Sequence, residues 1–202
     1  MNIYIATSRS IGLVCIDIAK KLIGDNHPLG WKLIDTPDQA DVFISVMYEH
    51  LISEEYINRP DRRCYNFHPG ILPEYRGSGA FSWSIINGEK QCGISLHELD
   101  VNIDTGPIID IHRYTIEGWD TAKSLYDRGM AEIERMFHKW FPRLITKEYT
   151  AYPQDESKAH TYYRKDLEKV RDLTRYVRAF GFPGKPSAFY KDRLGNSHEL
   201  GL

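Results

Sequence analysis

Asn66, His68 and Asp104 are the residues of this chain best suited to chemistry, and they lie in Asn66-Phe67-His68-Pro69-Gly70 and Asp104-Thr105-Gly106-Pro107. An amide NH₂ donates to a developing oxyanion, and an imidazole moves a proton near neutral pH. A carboxylate fixes the imidazole's tautomer or stabilises its cation. Together the three suit acyl transfer. None is a strong nucleophile in this role and no Gly-x-Ser-x-Gly elbow is present, which favours direct attack on a bound acyl donor over a covalent acyl-enzyme. Alone, His68 would read as a histidine hydrogen-bonded at a strand end, and Asp104 as an Asx-turn residue before Thr105-Gly106. Their joint context argues for catalysis.

These groups need elements to carry them. A strand through Cys64–His68 turns Asn66 and His68 to one face and Tyr65 and Phe67 to the other, and Pro69-Gly70 stops it just beyond His68. That puts both polar groups at the carboxyl end of a sheet strand, where open α/β sheets keep their ligand crevices. Asn2–Ala6 reads as a first strand, followed by a helix with Ile11, Val14, Ile18 and Leu22 on its apolar stripe. The turn between them has a single glycine. Ser8, Arg9 and Ser10 could hold a phosphate there, but plain helix capping by Ser10 is the favoured reading. The nearly continuous apolar run Asp41–Tyr48 suits a strand covered on both faces, hence a buried, mostly parallel sheet. Gly93–Leu99 and Pro107–Ile111 extend this sheet, and antiparallel pairing stays open for both.

Asp120 or Thr121 caps a helix carrying Leu125, Ile133, Met136, Phe137, Trp140 and Leu144, which Pro142 should kink or end. The polar stretch Thr146–Ser157 marks a boundary, so residues 1–150 form the main domain and 151–202 a small helical and aromatic appendage. Within the appendage, Leu167, Val170, Leu173, Val177 and Phe180 suggest one more helix, broken by Gly181–Pro186.

With 202 residues and 42% hydrophobic side chains, the chain can bury the core of one α/β domain. A formal net charge of −2 and a pI near 6.4 supply no global field for nucleic acid or an anionic membrane. Cys15, Cys64 and Cys92 are odd in number and widely spaced, as expected for buried, reduced thiols of a cytoplasmic protein. No basic and apolar leader precedes the first strand, and no apolar run approaches the roughly 20 residues of a bilayer span. His97 beside Glu98 lacks further ligands at suitable spacing, so no metal is expected. His112 and His138 read as ordinary structural or solvent contacts.

The motifs also carry a family resemblance. The Asn66 and Asp104 segments, Leu72-Pro73 with Tyr75-Arg76-Gly77, Trp83–Gly88 and Gly93–His97 resemble, in order and spacing over roughly residues 42–145, the 10-formyltetrahydrofolate-dependent formyltransferases. The resemblance implies a Rossmann-like formyltransferase fold with Asn66, His68 and Asp104 as the catalytic trio. It implies that Leu72, Pro73, Leu99, Asp100, Val101 and Ile103 line the folate pocket. The stretch before His68 is shorter than in the family, as though one strand-helix unit were trimmed. Arg76 reads as a surface charge or as a binder of an anionic substrate or glutamate tail.

The tail segments around Tyr162-Tyr163 and from Phe182 to Tyr190 look similar to those of nucleotide-sugar N-formyltransferases. Tyr75, Arg76, Gly77, Tyr163, Phe182 and Tyr190 are therefore candidates for substrate binding, the aromatics by stacking on a base or simply by packing. The implied reaction moves a formyl group from 10-formyltetrahydrofolate, a co-substrate, to the amine of a nucleotide-linked amino sugar through a tetrahedral intermediate. The alternatives are glycinamide ribonucleotide formyltransferase and a folate- or nucleotide-binding protein without turnover. The partner is a small-molecule nucleotide sugar. The sequence leaves the oligomeric state open, a homodimer included.

Overall fold

Strand β1 (Asn2–Thr7) runs into helix α1 (Ser10–Ile23) in the computed structural model of the protein, which describes residues 1–25, 27–163, 166, 173–180, 188–191 and 196–200. The chain continues through β2 (Lys32–Leu33), β3 (Val42–Val46), the single turn α2 (Glu54–Ile57), β4 (Arg63–His68), β5 (Arg76–Gly77) and α3 (Ala80–Asn87). Then come β6 (Gln91–Glu98), β7 (Ile108–Thr115), α4 (Ala122–Thr146), β8 (Thr161–Tyr162), α5 (Leu173–Phe180), β9 (Ala188–Lys191) and β10 (Ser197–Leu200). The main sheet has six strands in the order β2-β1-β3-β4-β6-β7. Pairing is parallel from β2 to β4, whereas β6 runs antiparallel to both β4 and β7. The link through residues 99–107 is too short for the crossover that a parallel β6–β7 pair would need.

Strand alternation divides the core unequally between the two faces. Ile3, Ile5, Val42, Ile44, Val46, Tyr65 and Phe67 join the large cluster with α1, α3 and α4, where Phe137, Phe141, Leu125 and Ile133 are fully enclosed. On the opposite face the buried hydrophobic cluster among the described residues is just Ala6, Phe43 and Cys64, under Tyr4, Tyr48, Ile52, Tyr56 and Leu99. Its cover is one turn of helix α2, with Tyr56 edge-on to Phe43 and Arg62 over the Tyr56 ring. Asn66 and His68 share the parity of Cys64 and so face this thinly covered side, where a cleft can open.

One local reading differs from expectation. Ser10 is the first residue of α1 rather than its cap; Arg9 occupies the cap position without a side-chain cap, and Thr7 Oγ1 accepts from Arg9 N at 3.1 Å. Pro142 lies in the last turns of α4, which ends four residues on at Thr146, with Phe141, Leu144 and Ile145 buried beside it. The start of α4 is closed reciprocally. Thr121 Oγ1 accepts from Ser124 N at 3.2 Å and Ser124 Oγ accepts from Thr121 N at 3.0 Å, while Asp120 binds Ser124 Oγ and Arg128. Thr121→Ala should therefore cost about 1 kcal/mol and lower the thermal midpoint by about 2–4 °C in a domain of this size. An unchanged midpoint in calorimetry would show that the reciprocal cap contributes nothing.

Beyond residue 150 the chain returns to the domain. Strand β8 pairs with β5, and α5 packs against α3, where Ser82 Oγ donates to Ala179 O at 2.8 Å. Among the described residues no helix is long and apolar enough to cross a membrane.

Candidate active site

The end of β4 delivers Asn66 and His68, and antiparallel register sets His97 and Ser95 of β6 directly opposite them. Ser95 is fully buried. Its hydroxyl donates to Gly70 O at 2.7 Å and accepts from Leu72 N at 3.0 Å, which pins the chain as it turns away from His68. The turn includes a cis Leu72-Pro73 bond and brings Tyr75 O to 2.6 Å from His68 Nε2. On the other side of the ring, Nδ1 lies 3.3 Å from Asp104 Oδ2.

Asp104 arrives from the β6–β7 loop in the left-handed region, at φ +56°. Asp100 organises this loop, accepting from Asn102 N at 3.2 Å and from the Thr105 hydroxyl at 2.6 Å. Gly106 allows its return, since a Cβ there would lie 1.9 Å from Glu98 O. The Asp104 carboxylate then gathers the site: Oδ2 accepts from Gly77 N at 2.8 Å and Oδ1 from Asn66 Nδ2 at 3.3 Å.

Burial opposes ionisation of Asp104. The His68 ring and the Gly77 N–H oppose that cost, and the carboxyl is held well below the usual carboxylate range. For His68, only 3% exposed, burial draws the pKa below the ordinary imidazole value, with Asp104 opposing. Both ring nitrogens nonetheless face acceptors, a pattern that only an imidazolium satisfies in full. The site disfavours the cation by burial yet offers it two acceptors once formed. Such a ring is suited to taking up a proton transiently.

His97 is the residue that sequence reasoning passed over. Fully enclosed, it directs Nδ1 to Glu98 O at 2.6 Å, so that Nδ1–H donates and Nε2 is left to accept from Asn66 Nδ2 at 3.1 Å. The acceptor fixes which end of the Asn66 amide points inward. The antiparallel β4–β6 pairing, left open in the sequence, was the signal that would have found it.

At these groups lies a cleft of about 560 Å³, lined by Met47, Tyr48, Leu51 and the 99–104 loop among others. A smaller recess of about 330 Å³ shares Met47, Glu49, Pro69, Ser78 and Gly79 with it and reaches Arg9, Lys123 and Tyr126. Arg9 is ion-paired with Glu49, and Lys123 with Asp127. Met47 adopts φ +52° where cleft and recess meet. Volumes of this order suit a cofactor-sized ligand.

Of the residues singled out in the sequence, the structure brings Asn66, His68, Asp104, Leu99, Asp100, Val101, Ile103, Gly77 and Tyr163 to the cleft. It does not bring Leu72, Pro73, Tyr75 or Arg76 there. Leu72 is buried within the turn, and Pro73 O accepts from His160 N at 3.2 Å. The Tyr75 side chain stacks on Tyr162 and donates to Glu89 at 2.7 Å. Arg76 is only 6% exposed and bound by Gln154 and Glu156, so it is an internal cation and not a surface charge. Tyr190 falls in β9, and Phe182 lies outside the described residues. Cys15, Cys64 and Cys92 are buried free thiols whose pKa values burial pushes up to about 12, 11 and 11.

Comparison with known proteins places this arrangement in context. Residues 34–145 match the formyl transferase family. A GDP-perosamine N-formyltransferase of Brucella melitensis is 32% identical over 160 residues, covering 75% of this chain; the chain spans only 61% of that curated relative. A sugar N-formyltransferase structure from Shewanella superimposes with a TM-score of 0.82 at 20% identity, over 100% of this chain and 97% of its own. The formyltransferase PseJ of Anoxybacillus kamchatkensis, solved with UDP-4,6-dideoxy-4-formamido-L-AltNAc and tetrahydrofolate, superimposes at 0.72 and 22% identity, over 91% and 93% of the chains. The mostly parallel sheet with flanking helices is the fold of these structures.

Proposed function

The chain belongs to the formyl transferase family, and on that premise we propose that it transfers a formyl group from 10-formyltetrahydrofolate to the amine of a nucleotide-linked amino sugar. The observation that carries this reading is the meeting of Asn66, His68 and Asp104 through contacts of 3.3 Å at the floor of one cleft. Relatives named for the same chemistry on sugars support the substrate class. For the folate, the apolar side chains of Leu51, Leu99, Val101 and Ile103 offer a wall for a flat ring system, within a volume that fits.

The reaction then follows from the groups present. A neutral amine attacks the formyl carbon, and negative charge develops on the formyl oxygen. Asn66 Nδ2 has both hydrogens engaged, at 3.1 Å to His97 and 3.3 Å to Asp104, so the longer contact gives way as the oxyanion forms. One such donor contributes about 3 kcal/mol to lowering the barrier. His68 takes the proton released by the attacking nitrogen, and the waiting Asp104 and Tyr75 acceptors stabilise its cation. Because both ring nitrogens are held, proton exchange requires the Tyr75 O contact to open. The proton passes to the departing folate nitrogen as its bond to the formyl carbon breaks. Buried, reduced thiols fit a cytoplasmic setting for this chemistry.

The test is a panel of amines incubated with the protein and 10-formyltetrahydrofolate, read by mass. A formyl adduct on one or more nucleotide-linked amino sugars is expected. Efficient formylation of glycinamide ribonucleotide with none on any amino sugar would overturn the substrate class.

A further inference from the structure

Asp104 holds a left-handed backbone conformation, one that aspartate tolerates but that is less favourable than in glycine, and the surrounding chain holds it there. The hold comes from the polar stretch after α4. Tyr152 anchors that stretch to the start of β7 by reciprocal backbone hydrogen bonds with Ile108 of 2.9 and 2.8 Å. Two residues on, Gln154 Nε2 donates to Asp104 O and to Gly106 O, each at 2.8 Å. Its Oε1 accepts from Arg76 Nε at 3.0 Å and Nη2 at 2.8 Å. Every hydrogen-bonding position of the amide is filled, and only this orientation sets donors against carbonyls and the acceptor against a guanidinium. Arg76 is itself forked onto Glu156, and the next residue, Gly77, donates its N–H to Asp104 Oδ2 at 2.8 Å. Asp104 is thus gripped by its main chain through Gln154 and by its carboxylate through Gly77.

We propose that Gln154 is a positioning residue, aimed by Arg76, that fixes the Asp104 main chain and thereby the aim of its carboxylate at His68 Nδ1. The roles of His68 and Asp104 in turnover are those of the formyl-transfer reading above; the geometric claim stands apart from it. The titratable groups facing His68 among the described residues are Asp104 from the β6–β7 loop and His97 from β6. Loosening Asp104 removes the one that favours the imidazolium, so the His68 titration moves to lower pH.

The experiment compares full-length wild type with Gln154→Ala by NMR titration of the His68 ring, kcat and KM for both substrates, and thermal midpoint. Expected are a downward shift of the His68 titration and a kcat loss between about 10-fold and 10²-fold with KM little changed. In an Asp104→Asn background the same change should lower kcat little further, because both act through one carboxylate. Gln154→Glu, which keeps the size and the Arg76 contact but sets oxygen against two carbonyls, should reproduce the loss. A folded Gln154→Ala protein with only a lower midpoint, or failure of both variants to fold, would make Gln154 a structural brace and overturn the proposal. If wild type formylates no amine, the titration still decides the clamp, and only the functional reading fails.

Discussion

His68→Ala should lower turnover by at least about 10²-fold while leaving the fold in place. The ring sits at the end of β4, beyond the large hydrophobic cluster, and its contacts are polar: Tyr75 O on one nitrogen and Asp104 on the other. Removing it takes away the proton carrier and the cation that would balance charge on the formyl oxygen, but little apolar packing. His68→Asn keeps a polar side chain without a titratable nitrogen and should be as poor. Steady-state rates beside circular dichroism decide the matter. Near-normal turnover in a folded His68→Ala protein would remove His68 from the chemistry.

Asp104→Asn is the second large effect. The amide preserves the size of the side chain and can still accept from Gly77 N, yet it removes the charge that favours imidazolium at His68 and can impose the wrong tautomer on the ring. A loss between about 10² and 10⁴ in turnover is expected, the upper figure being that of the analogous change in a serine protease. The sign of the pH effect follows. Asp104 raises the His68 pKa, so without its charge the ring loses its proton at lower pH, and the acid limb of the rate profile moves down. An unchanged profile would leave Asp104 as a turn former only. A second consequence concerns stability. Because the folded carboxyl is depressed below its ordinary value, it contributes stability that is present above that value and lost as pH falls through the folded pKa. The Asn variant should lack this acid-linked component.

Much of the site was legible because a strand has period two: the alternation that sends Tyr65 and Phe67 into the core sends Asn66 and His68 out of it. The 99–104 loop was legible through its motif. Arg76 was not, because a charge in a loop looks solvent-exposed until its partners are known, and Gln154 and Glu156 lie 78 and 80 residues away. For the same reason the contacts of Gln154, within the polar stretch Thr146–Ser157, could not be read: Arg76 and Asp104 lie 78 and 50 residues away. The pairing of His97 with Asn66 was invisible without the β4–β6 register, since its value lies in what faces it and not in its own motif.

The central claim is that this cleft moves a formyl group to an amine, and it is tested most directly with a donor labelled in its formyl carbon. Wild-type protein, labelled 10-formyltetrahydrofolate and the nucleotide-linked amino sugar selected from the panel should give label on the sugar's nitrogen and one tetrahydrofolate per formyl transferred. Tight binding of the donor with no label reaching any amine would contradict the account and leave a folate-binding protein in place of an enzyme.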